Sequence, residues 1–192
     1  MRNTKVRALV ECAVMVALAF ALSFVKPWQM PLGGSVTLCS MLPILLIAVK
    51  YGPVIGVGCG FVYSLTQLAQ GFIEGDISMA SMSADVFIIA LLFDYVVPYT
   101  LLGLGGIFGK KTRWHAVGSM SLAVVLRILC HYLTGITIWA QWTPEGWLAP
   151  IYSAAYNFGY LLPDFAIALV AFIILMSVRE MRKLITIEEF AE

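Results

Sequence analysis

AVGSMSLAVVLRILCHYLTGITIW, residues 116–139, decides the fold. The stretch is long enough to cross roughly 30 Å of hydrocarbon as one helix. It carries two ionisable side chains, Arg127 and His131, four residues apart and therefore on one helix face. A second such stretch, VFIIALLFDYVVPYTLLGLGGIF over 86–108, is interrupted by Asp94. An isolated charge at a bilayer centre costs about 2.5–3.5 kcal/mol on insertion scales, so intramembrane ionisable groups usually face a protein-lined cavity and mark a functional site. The alternative is structural: Arg127 snorkels, or pairs with Asp94 to hold two helices together.

Composition agrees with a bilayer setting, because 61% of the 192 residues are hydrophobic and 12% are charged, against roughly a quarter charged in a soluble domain. A net charge of +1 gives no hint of nucleic acid, and the length suits one domain, 1–192, built as a single bundle. Cys12, Cys39, Cys59 and Cys130 are scattered without a CxxC and read as small apolar residues, with neither a disulfide frame nor a zinc site expected.

Apolar runs near Val6–Val25, Val54–Leu68, Val86–Phe108, Ala116–Trp139 and Ile151–Val178 make five candidate crossings, and Thr37–Val49 a short sixth containing Pro43. Charge settles the parity. With six crossings Arg2, Lys5, Arg7, Lys50, Lys110, Lys111, Arg113, Arg179, Arg182 and Lys183 share one side, and Lys26 alone lies outside, as the positive-inside rule requires. The expected fold is an all-α integral membrane protein, a six-transmembrane-helix bundle with N- and C-termini cytoplasmic. The basic N-terminus and its apolar run imitate a secretory signal, but Glu11 lies within the run and further spans follow, so a retained first helix is expected.

The outer loops are then Lys26–Ser40, Ala69–Asp85 and Ala140–Pro150. Trp28, Trp139, Trp142 and Trp147 lie on or beside the outer face, where an aromatic belt accounts for Trp142 and Trp147. The acidic segment from Gly71 to Asp85 reads as a lid or as a solvated loop. At 1.5 Å rise per residue, Asp94 and His131 lie about 12 Å below the outer end of their spans, Asn157 matches them if its helix begins near Ala149, Tyr152 is shallower and Arg127 one turn deeper. A carboxylate, an aromatic wall of Tyr95, Trp139, Tyr152 and Trp28, and the polar groups of Asn157 and His131 suit a flat, nitrogen-rich cation. Arg127 is expected to balance Asp94 or to meet a polar end of the ligand.

Ala13, Ala17 and Ala21 recur every four residues, as do Gly52, Gly56 and Gly60, a spacing that lets helices approach closely. The glycine row reads as packing within the bundle; the alanine row as the same, or as a docking surface for another membrane subunit. Gly103-Leu104-Gly105-Gly106 has no preceding strand and makes no nucleotide fold. There is no GxxxxGK[ST], HExxH, GxSxG or paired aspartate-rich motif, so neither ATP hydrolysis nor another catalytic activity is expected of this chain, and no cofactor.

The chain resembles the thiamine-specific substrate-binding (S) components of energy-coupling-factor (ECF) vitamin transporters, the ThiT family. The residues that carry the resemblance are Glu11-Cys12-Ala13 with Ala17, Gly33-Gly34-Ser35-Val36 leading to Leu42-Pro43, Asp94-Tyr95 with Leu102-Gly103, Arg127 with His131 and Gly135, Trp139, and Tyr152 with Asn157. The resemblance implies a six-helix S component of the bacterial cell membrane that binds thiamine from outside and docks on a transmembrane coupling subunit driven by two ATPases. It implies that Asp94 is the pocket acid, Tyr95 its aromatic neighbour, Arg127 the basic residue, His131 and Trp139 the stacking rings, and Tyr152 and Asn157 the polar pair. Ala13 and Ala17 fall on the docking motif. Some members carry a loop tryptophan near Gly34, whose place Trp28 would take here, and a glutamate one methylene longer than Asp94.

Without the resemblance the same residues also suit a proton-coupled secondary transporter using Asp94, Arg127 and His131 as a relay, an S component for another nitrogen-heterocycle vitamin or precursor, or an intramembrane enzyme acting on a lipid.

Overall fold

The computed structural model describes residues 4–75, 82–109 and 112–186. Among the described residues four helices are long and apolar enough to cross a membrane: α1 (Thr4–Ser23), α4 (Ala84–Leu104), α5 (Arg113–Ile136) and α6 (Ala149–Ser177). Between the first two lie α2 (Leu42–Tyr51) and α3 (Pro53–Glu74), and α6 is followed by α7 (Arg179–Thr186).

The two remaining expected crossings differ from the rest for physical reasons. α2 has ten residues and a length of about 15 Å, half the hydrocarbon thickness. Almost every side chain in it is nevertheless buried, and the non-helical segment before it is buried at Thr37, Ser40 and Met41. α3 continues six residues beyond Leu68, where the sequence led us to expect a loop, because Gln67 and Gln70 do not face water. Gln67 and Gln70 are buried and bond to each other and to Ser23 of α1, and Gly75 caps the helix in the left-handed conformation. The acidic loop therefore begins at Gly75 and ends at Ser83, and residues 76–81 of it lie outside the described residues.

The first three helices alternate in direction. Lys50 at the end of α2 and Tyr51 both bond to Glu11 near the start of α1, whereas Lys26 after α1 bonds to Glu74 at the end of α3. Gly56 of α3 meets Gly103 of α4 so closely that a Cβ on either would lie 2.4 Å or less from the other's backbone, and Gly60 lies tight against Tyr99 and Thr100, so these two glycines of the row pack within the bundle, whereas Gly52 caps α3 at φ +87° with open space around it. Ala13, Ala17 and Ala21 are exposed, while Cys12, Val16 and Ala19 form the inward face of α1. The alanine stripe is therefore not used for packing among the described residues.

Candidate functional site

Two departures from regular helix shape the site. Leu91–Val96, which contains Asp94 and Tyr95, is a π-helical turn inside α4, a device that inserts an extra residue per turn and recurs at functional sites. α5 stops at Ile136, with Thr137 in a non-helical conformation, so Trp139 lies in the turn after the helix and not on the span where the sequence placed it. The Trp139 amide bonds back to the Thr134 carbonyl at 3.0 Å, which folds the indole towards α4.

There Nε1 of Trp139 donates to Oδ2 of Asp94 at 2.7 Å. Oδ1 of the same carboxylate meets Nδ1 of His131 at 3.2 Å and accepts from the Thr134 hydroxyl at 2.5 Å. Asn157 on α6 donates to the His131 carbonyl at 3.2 Å and to the Ser153 carbonyl at 2.9 Å. Gly135 makes this crossing possible, since a Cβ there would lie 2.1 Å from Oγ of Ser153.

These residues line one cavity of about 540 Å³, within the roughly 300–1,000 Å³ typical of small-molecule sites. Asp94, Tyr95, Arg127, His131, Trp139, Tyr152, Asn157 and Gly34 all contribute to its wall. Trp28 does not: it pairs with Val36 in a two-residue β-ribbon, β1 (Trp28–Gln29) with β2 (Ser35–Val36), and is 54% exposed. Trp142, assigned from sequence to an aromatic belt, does line the cavity. Trp147 packs edge-on against Tyr152 with ring centroids 6.0 Å apart.

Arg127 does not pair with Asp94, which was one form of the structural alternative. Its guanidinium lies over the Tyr99 ring, 4.3 Å from the centroid, a cation–π contact, and its Nε is buried without a hydrogen-bond partner.

Sequence reasoning missed Asp164, which lies on α6 beside Pro163 and is buried in the cavity wall. It accepts from the Thr37 amide at 2.9 Å and the Thr37 hydroxyl at 2.7 Å. The signal was an acid inside the run from Ile151 to Val178, the same signal that drew attention to Asp94. Gln70 and Glu74 fall beyond Leu68, where the apolar run ends, and so were missed, while Gln67 lies inside that run as a lone uncharged polar residue. A second anchor fixes the first loop: the Tyr156 hydroxyl accepts from the Gly34 amide at 3.0 Å and donates to the Pro31 carbonyl.

A family model described as thiamine transporter protein (Thia_YuaJ) matches residues 9–184. Among curated relatives, thiamine transporter ThiT of Bacillus subtilis (strain 168) is 31% identical over 181 residues, covering 87% of this chain and 88% of that protein. Thiamine transporter ThiT of Lacticaseibacillus paracasei is 22% identical over 182 residues, covering 88% and 87%. A solved structure of ThiT from Listeria monocytogenes superposes with a TM-score of 0.73 at 23% identity, covering 93% of this chain and 98% of that one, a likeness of fold.

Proposed function

The chain belongs to the thiamine transporter family, and from that premise we propose that it is the thiamine-binding S component of an ECF-type uptake system in the bacterial cell membrane. The observation that carries this reading is the Asp94 centre: a carboxylate held by three donors at the wall of an aromatic, polar-lined cavity. An ionised carboxylate has about four lone-pair directions. Three are occupied by His131, Thr134 and Trp139, and one on Oδ2 remains for an amino group of the ligand. Its charge offsets the thiazolium, a charge-assisted arrangement roughly twice as strong as a neutral one.

In this mechanism the two ligand rings stack on Trp139 and His131, with Tyr95 and Tyr152 closing the aromatic wall, and Tyr152 and Asn157 fixing polar atoms. Gly34 brings the first loop's backbone to the cavity, and Arg127 forms part of its floor. The chain crosses the membrane six times with both termini cytoplasmic, α2 and the segment before it counting as one crossing. Ala13 and Ala17 offer the surface on which the coupling subunit, driven by two ATPases, docks. The chain itself carries out no catalytic step.

Titration of the detergent-purified chain with thiamine tests the reading through intrinsic tryptophan fluorescence. Saturable quenching at submicromolar thiamine, weakened when Asp94 is replaced by Ala, is the expected result; a folded protein that gives no response defeats it. The Asp94–His131 contact also favours a second reading, a proton-coupled secondary transporter, which would show uptake by this chain alone driven by a pH gradient.

A further inference from the structure

The cavity has a second polar wall, on α1, α3 and the start of the first loop, where Ser23, Lys26, Gln67, Gln70 and Glu74 line it. Glu74 sets the direction of the hydrogen bonds in this group. One of its carboxylate oxygens takes the ammonium of Lys26. The other accepts from Nε2 of Gln70 at 2.8 Å, and the same nitrogen donates to the Ser23 carbonyl at 3.3 Å. A carboxylate and a carbonyl only accept, so the Gln70 amide stands one way round and turns Oε1 towards Gln67. That oxygen accepts from the Ser23 hydroxyl at 2.6 Å and from Nε2 of Gln67 at 3.1 Å. Nε2 of Gln67 gives its other hydrogen to Oγ of Ser23 at 3.0 Å.

Both amide hydrogens of Gln67 are thereby used, and its Oε1 accepts from no donor among the described residues. The side chain is buried, with Gln67 8% exposed, yet this oxygen is not sealed in protein: it opens on the cavity that Gln67 lines. Asp94 is bonded only to α5 and the turn after it, so the two polar groups stand on separate stretches of one wall, an anion on the first and a neutral acceptor on the second.

Building on the thiamine-binding reading, we propose that Gln67 is a further ligand-binding residue, whose Oε1 accepts a hydrogen bond from the terminal hydroxyl of thiamine. Thiamine has two donor groups, the amino group of its pyrimidine and the hydroxyl at the end of its thiazolium side chain. Asp94 takes the first, which leaves the hydroxyl as the donor for an acceptor elsewhere on the wall. Ser23, Gln70 and Glu74 hold the Gln67 amide in the orientation that this bond needs, so it forms without reorganisation of the side chain. A ligand without the hydroxyl would leave Oε1 unpaired in a closed site, and sites built to bond a hydroxyl reject analogues that lack it.

The test is the ratio of two affinities measured by isothermal titration on the full chain, one for thiamine and one for deoxythiamine, in which hydrogen replaces the hydroxyl. The wild-type chain should favour thiamine about tenfold or more. Gln67→Met keeps the length of the side chain and removes the acceptor. It should weaken thiamine about tenfold while moving deoxythiamine less than about threefold, so that the preference falls to about threefold or below. Equal binding of the two ligands by the wild-type chain overturns the proposal. So does a preference in Q67M that stays at the wild-type value, since Gln67 would then serve only to hold α3 against α1. Should Q67M not fold, Gln67→Asn keeps an amide and withdraws the oxygen by one methylene; loss of the preference is the expected result, and a wild-type preference in Q67N overturns the proposal. A folded wild-type chain that binds neither ligand would defeat the thiamine reading itself, an outcome distinct from equal binding of both.

Discussion

The indole of Trp139 and the carboxylate of Asp94, 45 positions apart in the chain, are joined by a hydrogen bond of 2.7 Å, so the aromatic wall and the acid of the cavity move as one unit. Trp139→Phe keeps a flat ring and removes this bond. A hydrogen bond to a charged group contributes about 1.5–3 kcal/mol, so thiamine affinity should fall about tenfold or more in isothermal titration. An unchanged affinity would show that Trp139 does not orient the acid in the bound state.

Asp94→Ala removes the acceptor shared by His131, Thr134 and Trp139 and the charge facing the ligand. More than about 1.4 kcal/mol should be lost, which is at least tenfold in Kd. The measurement is fluorescence quenching, with a thermal melt in detergent as the control for folding.

Tyr156→Phe deletes the hydroxyl that ties Gly34 and Pro31 to α6. Each neutral bond is worth about 0.5–1.5 kcal/mol, so thiamine dissociation should quicken by roughly tenfold in a stopped-flow displacement. A dissociation rate equal to wild type would mean that the first loop does not cover the exit.

Gly103→Val should lower the apparent Tm, since its Cβ would fall 2.2 Å from the Val57 amide nitrogen and overpacking of this kind costs about 1–3 kcal/mol or more. Gly58→Ala is the control. Beyond the adjoining backbone of its own helix, no atom lies within 4 Å of a Cβ at that position, and alanine in a helix interior should hold or raise stability by about 0.5–1 kcal/mol.

Leucine at both Ala13 and Ala17 should leave thiamine binding by the isolated chain unchanged, because both positions are exposed. Uptake by cells that also carry the coupling subunits should fall sharply. Normal uptake would remove the alanine stripe from the docking surface.

Much of the cavity wall was legible because its ionisable groups stand out in apolar runs: Asp94, Arg127 and His131 each break one, and i,i+4 spacing puts the last two on one face. Asp164 broke another and was passed over. What could not be read was where helices stop. Trp139 reaches Asp94 because α5 ends three residues earlier at Ile136, and the glutamines of α3 extend that helix because they bond one another and Ser23. Neither follows from periodicity, which reports the face a residue occupies and not whether the next turn forms. Trp28 was drawn to the cavity by its chemistry alone, and strand pairing with Val36 keeps it out of the lining.

The segment before α2 has a consequence for how the protein is made. Thr37 finds the acceptor for its amide on Asp164, 127 residues further along, and irregular backbone is tolerated at membrane depth only where protein covers it. A ribosome feeding this chain into the bilayer therefore delivers α2 and the segment before it long before the carboxylate that holds Thr37. Residues 37–51 must wait at the interface or in the translocon until α6 emerges, so the cavity is completed only by the last of the four long apolar helices, and a chain truncated before α6 would be left with an uncovered segment before α2 for quality-control proteases to recognise.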